Sequence, residues 1–446
     1  MERVSLINRI KSAGIVGCGG AGFPTHVKVN TKAEIVIGNG AECEPLLRVD
    51  QQMMEKYSEK IVKGLEYVMS ITGAKKGYIA LKGKYKEAIK NLQIAIRNSS
   101  FTIEIFILGD YYPAGDEQDI VYEVTGRIVP EGGIPIMVGC VVDNVTTLYM
   151  IADAVIYNRN FISRPVTIGG AVKDPKTVWV RIGTSFKELI EYAGGVTEPD
   201  YVVIDGGPMM GNIVDENSVV KKTTSGILVL PRDLRFIQKK LRSDRVEVRN
   251  GKSTCDQCFE CTITCYRNLL GHNLYPHKIM RTLFLEPESY SEESLLTMSF
   301  LCSQCGLCDL YSCPMDLSPR KVFRFIRQKL MEKGIKNPHK RSDLKVHPER
   351  DFRRVSIKRL IERLGIKKYD RPAPFVEEEY IPEKVRIPLN QHIGAHAVPK
   401  VKEGDSVKEG DLIAASPEEK LGANIHASIS GRVTEVKDEY IEITGV

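Results

Sequence analysis

"GIVGCGGAGFPTHVK", residues 14–28, places five glycines in fifteen positions and ends on a lysine. Gly17, Gly19 and Gly22 satisfy G-x-G-x-x-G, the spacing of a loop that presents a dinucleotide pyrophosphate to a following helix. Such a loop must leave a strand and open directly into that helix. Here a helical pattern over residues 5–13 precedes the glycines, and Pro24 follows two residues after Gly22. The stretch is a glycine loop of another kind, and its role depends on what surrounds it.

Outward from the loop, "EIVIGNGAECEP" (34–45) reads as a buried strand entering a turn. Helical periodicity over 51–72 and 85–97 alternates with the strand-like "GYIALKG" (77–83) and "FTIEIFIL" (101–108). This order predicts an α/β domain with a largely parallel sheet over 1–160. Over 161–225, "RPVTIGGAV", "KTVWVRIG", "SFKELIEYAGG" and "YVVIDGGPMMG" give a strand pair, a helix and another strand, the order of a small β-grasp module. Residues 226–340 hold two cysteine runs among helical connectors. The polar, proline-dotted stretch 341–384 reads as a linker or arm. Residues 385–446 carry short strands between glycine turns and are similar to the barrel-sandwich hybrid fold of lipoyl and biotinyl domains. Those carriers need a lysine on a hairpin tip, and "HASIS" (426–430) has none, so a structural or docking role is expected.

With 42% hydrophobic and 27% charged residues, the 446-residue chain has the composition of a globular protein with several cores. No apolar run reaches membrane-span length, residues 1–14 have no signal-peptide core, and a cytoplasmic protein is expected. The net charge of +6 is modest. The dense basic tract Lys333–Lys368 has no accompanying aromatic-rich motif, so it reads as a solvated helix and linker, with no nucleic-acid partner.

Eight of the eleven cysteines lie in two tight runs; Cys18, Cys43 and Cys140 are scattered packing residues. The first run, Cys255, Cys258, Cys261 and Cys265, has the spacing C-x2-C-x2-C-x3-C. The second, Cys302, Cys305, Cys308 and Cys313, has C-x2-C-x2-C-x4-C-P. Structural zinc favours paired C-x2-C units, whereas three thiolates at this spacing wrap one iron–sulfur cube and leave its fourth corner to a distant cysteine. One 4Fe–4S cluster is therefore assigned to Cys255, Cys258, Cys261 and Cys313, and the other to Cys302, Cys305, Cys308 and Cys265. Tyr266 stands where the bacterial ferredoxin pattern has proline, and the second run has one extra residue before its last cysteine.

Four segments in order, "GCGGAGFPTHVK", "NGAECEP", "YYPAGDEQ" and "DNVTTL", resemble the FMN-binding flavoprotein subunit of respiratory complex I. They resemble still more its relatives, the RnfC component of the Rnf electron-transport complex and the PduS-type cobalamin reductases, over essentially the whole chain. The C-terminal place of the barrel-sandwich domain and the long last gap in "CSQCGLCDLYSCPM" match the PduS type. The resemblance implies a multidomain α/β protein: an FMN domain, an SLBB-type β-grasp module, a two-cluster ferredoxin-like module and a barrel-sandwich hybrid.

By the same resemblance, Gly17, Gly19, Gly20 and Gly22 let the backbone approach FMN, Lys28 meets its phosphate, and Phe23 flanks the nicotinamide. Asn39 and Glu42 line the flavin, and Glu44 faces the dinucleotide. Tyr112, Asp116 and Glu117 lie near the ring system, and Asn144 and Thr147 contact the ribityl phosphate. Glu44 and Glu117 are the carboxylates assigned to the catalytic centre. Cys18 replaces an arginine of complex I, an aromatic after the lysine is missing, and Thr146 replaces an acidic residue.

The implied activity is NADH oxidation at FMN, with single electrons passing through the clusters to an acceptor. A corrinoid leads as acceptor, with an adenosyltransferase or other redox protein as partner, a homo-oligomer and a bacterial microcompartment as settings. The alternatives are an Rnf-like NADH–ferredoxin or quinone relay, and an adaptor with no NADH site.

Overall fold

A computed structural model describes residues 2–284, 291 and 295–445. Its first sheet uses β1 (Ile35–Gly40), β2 (Lys76–Lys82), β3 (Ile103–Leu108) and, after the short β4 (Tyr111–Tyr112), β5 (Cys140–Asn144). The order is β3-β2-β1-β5, and all three pairings are parallel. The chain steps from β1 to β2 and β3, then returns to set β5 on the other side of β1. The strand order therefore reverses between β1 and β5, which opens a crevice at their carboxyl ends. Those ends carry Asn39 and Gly40 on β1, and Asp143 and Asn144 on β5.

Around this sheet lie α1 (Arg3–Ser12), α2 (Thr25–Val29), α3 (Val49–Lys56), α4 (Ser58–Thr72), α5 (Lys86–Arg97), α6 (Glu117–Thr125) and α7 (Val145–Tyr157). α4 buries Ile61, Val62, Leu65, Val68 and Met69, an i, i+3/i+4 stripe, and ends where Gly73 takes φ +73°. It packs on α7 so closely that a Cβ on Gly64 would lie 1.9 Å from the Leu148 carbonyl oxygen.

The second sheet comprises β6 (Ser163–Gly170), β7 (Lys176–Arg181), β8 (Tyr201–Asp205), β9 (Asn212–Val214), β10 (Gly226–Pro231) and, after the short β11 (Val355–Ser356), β12 (Phe375–Tyr380). Its strands depart from two expected boundaries. β10, beyond residue 225, is a central strand between β6 and β8. Residues 341–384 are not a bare linker: β12 extends this sheet beside β7, and β11 pairs antiparallel with β4 of the first domain.

The basic tract also differs from a solvated stretch. Arg350 is buried and pairs with Asp119 and with Glu123 (2.6 Å), while Arg341 reaches Glu131 at 2.9 Å. These cations clasp the arm onto the first domain.

A separate helical core, including Leu274, Ile279, Phe323, Ile326 and Leu330, supports the cysteine runs. The last domain is two small sheets of four and three strands. Its "HASIS" segment is inward-facing: residues 426–429 are buried, and Ser428 Oγ donates to the Ile182 carbonyl at 2.6 Å. The Ile393 N–H donates to the Gly22 carbonyl at 3.0 Å, which seats this domain on the glycine loop.

The α4–α7 contact makes Gly64→Ala an overpacking change. It should lower stability by about 1–3 kcal/mol in chemical denaturation despite alanine's better helix propensity, and an unchanged midpoint would contradict the packing described.

Candidate functional site

The glycine loop lies across the β1/β5 crevice. The Gly17 N–H donates to the Phe23 carbonyl at 2.9 Å, closing the loop on itself, and the Cys18 N–H donates to Thr147 Oγ1 at 2.9 Å. Gly19, Gly20 and Ala21 face solvent, and a Cβ on Gly20, at φ +102°, would meet nothing within 4 Å. Gly19 stands beside Asn144, whose Oδ1 caps α7 by accepting from the Thr146 N–H at 2.9 Å. The loop, the ends of β1 and β5 and the start of α7 thus meet at one edge. Exposed backbone beside a helix N-terminus suits an anionic ligand.

Carboxylates crowd this edge. Asp50, which has no part in the sequence expectation, accepts from Asn144 Nδ2 at 2.8 Å and from Thr146 Oγ1 at 3.2 Å. Glu42 accepts from the Gln51 N–H at 2.9 Å. Burial, then the charge of Asp50, pushes the Glu42 carboxyl up to about 7. Burial likewise raises Asp50 and Asp143 to about 6. Asp143 directly precedes Asn144 within "DNVTTL", so the motif itself contained a signal for it.

Lys28 reaches Glu117 at 2.7 Å and Asp143 at 3.6 Å, and it also donates to the Val142 carbonyl. Burial opposes its charge, but the two carboxylates outweigh that and hold the ammonium above its usual range. The expected free cation for a phosphate is therefore a partnered one. Positive charge also lies behind the loop: Arg164 and Lys222, both fully buried, form no ion pair among the described residues. Arg164 donates to the Lys222 carbonyl and, weakly at 3.5 Å, to the Cys18 carbonyl. Lys222 donates to the Gly14 and Asn424 carbonyls at 2.7 Å each. No local motif marks either residue, because the second domain brings them in. Cys18 itself is a packing residue whose thiol burial pushes up to about 11.

The remaining expected residues face the other domains. Asn39 Nδ2 donates to the Gly115 carbonyl at 2.9 Å. Glu44 does not point to an open dinucleotide face: its carboxylate accepts from the Met209 and Met210 N–H groups at 2.9 and 2.8 Å. Burial raises its pKa. Tyr112, buried, donates to the Cys305 carbonyl at 2.7 Å. Asp116 caps α6 through Oδ1, while Oδ2 accepts from Tyr266 and from Arg267 at 3.1 Å. Tyr266 and Arg267 were invisible as site residues in the sequence, although they follow Cys265 directly.

Two small cavities hold the cysteines. One is lined by Cys265, Cys302, Cys305 and Cys308, with Tyr266, Arg267 and Arg320. The other is lined by Cys255, Cys258, Cys261 and Cys313, with Phe259 and His277. Each gathers three cysteines of one run and the last of the other. Among the described residues, no three His, Cys, Asp or Glu side chains converge on a single-ion site. The thiols ring a void, which suits a multi-iron cube whose ligands stand at its corners. Burial raises the thiol pKa of Cys261, Cys265, Cys305 and Cys308. The β1/β5 edge offers open glycine backbone and a buried Asp143 Oδ2 without a hydrogen-bond partner.

Four known families match successive parts of the chain. Residues 10–153 match the Nuo51 FMN-binding domain, 165–212 the SLBB domain, 254–318 the 4Fe–4S dicluster domain and 364–445 the RnfC barrel sandwich hybrid domain. A protein of Citrobacter freundii named cobalamin reductase PduS is 39% identical over 98% of this chain and 95% of its own. The chain belongs to the PduS family. Its namesake in Salmonella typhimurium is 40% identical over the same shares. One component of a proton-translocating ferredoxin:NAD(+) oxidoreductase complex of Clostridium ljungdahlii is 38% identical over 59% of this chain and 56% of its own. An NAD+-reducing NiFe-hydrogenase chain shares the fold, with a TM-score of 0.51 at 20% identity over 77% of this chain and 64% of that one. The family carries an FMN-binding and a 4Fe–4S dicluster domain, and the chain is an oxidoreductase. No helix among the described residues is long and apolar enough to cross a membrane.

Glu42 gives the site a pH signature. Folding raises its pKa from 4.5 to about 7, so folding protonates it across that interval, and the folded state loses stability as pH rises through it. The thermal midpoint of the wild type should fall more steeply than that of Glu42→Gln between about pH 5 and about pH 7. Parallel curves would contradict the assignment.

Proposed function

We propose that this NADH-linked electron-transfer flavoprotein delivers its electrons to a corrinoid. The observation that supports the relay is the serial arrangement of the β1/β5 edge, the Cys265/Cys302/Cys305/Cys308 cavity and the Cys255/Cys258/Cys261/Cys313 cavity. Tyr112 spans the first junction with its hydrogen bond to Cys305. At the second, Cys261 lies close enough to Cys308 for its charge to act on it. Cys258 alone of the eight is exposed, so an acceptor approaches at that end.

Bound FMN supplies the exchange between a two-electron hydride and single electrons, and bound 4Fe–4S clusters carry those electrons one at a time. The chain supplies place and charge. Gly17, Gly19, Gly20 and Gly22 leave room for FMN; Asn144, Thr147 and the start of α7 receive its phosphate end, with Arg164 and Lys222 adding positive potential from behind. Asn39 and Glu42 line the cofactor, and Phe23 flanks the nicotinamide of NADH. Lys28 and Glu117 act as a pair that fixes charge beside Asp143. Glu44 and Asp116 hold the neighbouring domains in register. Hydride transfer needs no general base, so Glu44 and Glu117 are positioning residues in this reading.

Cobalamin as acceptor is supported by the names of the full-length relatives and by the C-terminal place of the barrel-sandwich domain. An adenosyltransferase is the expected receiver of the reduced corrinoid, and a bacterial microcompartment the expected setting.

Anaerobic assay of purified protein with NADH and cob(III)alamin or cob(II)alamin tests the reading. Cys258→Ala should cut cobalamin reduction at least about tenfold, a loss of about 1.4 kcal/mol in transition-state stabilisation, while NADH still bleaches the flavin. Loss of FMN from that variant would contradict the separation of the sites, and wild-type protein inert toward cobalamin would overturn the acceptor.

A further inference from the structure

Arg320 is the second residue of the helix Pro319–Glu332, and its side chain, 12% exposed, runs back toward the cysteines. It lines the same cavity as Cys265, Cys302, Cys305 and Cys308. Three features hold the guanidinium there. Its Nη1 donates to the Met209 carbonyl at 2.7 Å. Its Nε lies 3.1 Å from Asp309 Oδ2. Gly306, at φ +85°, gives it passage, since a Cβ there would come within 2.9 Å of Nη1.

The charge around it does not cancel. Asp309, next to Cys308, is 1% exposed and is flanked by two cations, Lys239 at 3.1 Å on one oxygen and Arg320 at 3.1 Å on the other. One carboxylate cannot neutralise both. Asp316, which also approaches Lys239 at 3.8 Å, is shared with Arg235 and Arg242. Arg320 is therefore only partly neutralised beside its cavity, while Lys239 stands between the two cysteine groups and its charge also acts on Cys313.

A 4Fe–4S cluster gains one negative charge when it takes one electron, with no bond made or broken. A fixed cation close by, in a medium of low dielectric, favours that reduced form. We propose that Arg320 is the tuning residue of the flavin-side cluster, raising its reduction potential so that it accepts electrons readily from the flavin. This rests on the reading of the cysteine cavities as cluster sites. The cavity of Cys255, Cys258, Cys261 and Cys313 has no Lys or Arg in its lining among the described residues, and the nearest cation acting there is Lys239, on Cys313, so Arg320 bears chiefly on the first cluster.

The test is an anaerobic potentiometric titration of the holoprotein, followed by EPR and visible absorbance, in wild type, Arg320→Gln, Arg320→Lys and Asp309→Asn. In Arg320→Gln the equilibrium constant for reducing one cluster should fall about tenfold, a downward shift of about 59 mV for one electron, with the other cluster unmoved. Arg320→Lys, which keeps the charge, should restore most of the wild-type potential. Asp309→Asn removes the compensating negative charge and should shift the same cluster upward. If Arg320→Gln fails to load that cluster, the upward shift in Asp309→Asn and the rescue in Arg320→Lys still decide. Loaded clusters with unmoved potentials, or equal shifts in Arg320→Lys and Arg320→Gln, overturn the role of Arg320. Wild-type protein without cluster signals overturns the reading of the cavities instead.

Discussion

Asp116 joins the two halves of the molecule through one carboxylate. Oδ1 caps α6 and fixes the start of that helix against the β1/β5 edge, while Oδ2 takes the hydroxyl of Tyr266 and the guanidinium of Arg267. Hydrogen bonds to charged groups contribute about 1.5–3 kcal/mol each, and this carboxylate makes several in a mostly buried setting. Tyr112–Cys305 and Glu44 with Met209 and Met210 add parallel ties. Three residues near the flavin edge thus spend their polar atoms on the second domain and the cysteine module. The spacing between the β1/β5 edge and the cysteine cavities is set by side chains that a sequence motif presents as ligand contacts.

The electrostatics follow from that construction. Closing three domains over one edge buries Glu42, Asp50 and Asp143 together, and burial raises all three toward neutrality. Arg164 and Lys222 are buried from the opposite side, and burial lowers Lys222 to about 7. Burial thus weakens the charge of the carboxyls and of Lys222 alike, and Arg164 keeps the firmest positive charge beside the loop.

Much of this is legible in the chain. The strand–helix alternation and buried runs such as "EIVIG" and "CVVDN" point to the parallel sheet, because strands covered on both faces read as continuous apolar stretches. The cysteine spacing assigns each fourth cysteine to the other run, and the structure gathers the same two groups. What is hidden depends on contacts between distant segments. β12 looks polar, "FVEEEY", because it is an edge strand, and its pattern is that of an arm. Arg164, Lys222 and Arg320 carry no motif, since their neighbours come from other domains. Glu44 is legible as part of a motif but not as a clamp, because its partners are N–H groups of residues 209 and 210.

The central claim is that the flavin edge and the two cysteine cavities form one electron path. Anaerobic titration with NADH, followed by visible absorbance and EPR on the same samples, tests it most directly. The account predicts that the flavin band bleaches and that signals of two reduced, magnetically interacting 4Fe–4S clusters then appear. Flavin that does not bleach, or bleached flavin with clusters left oxidised, would contradict it.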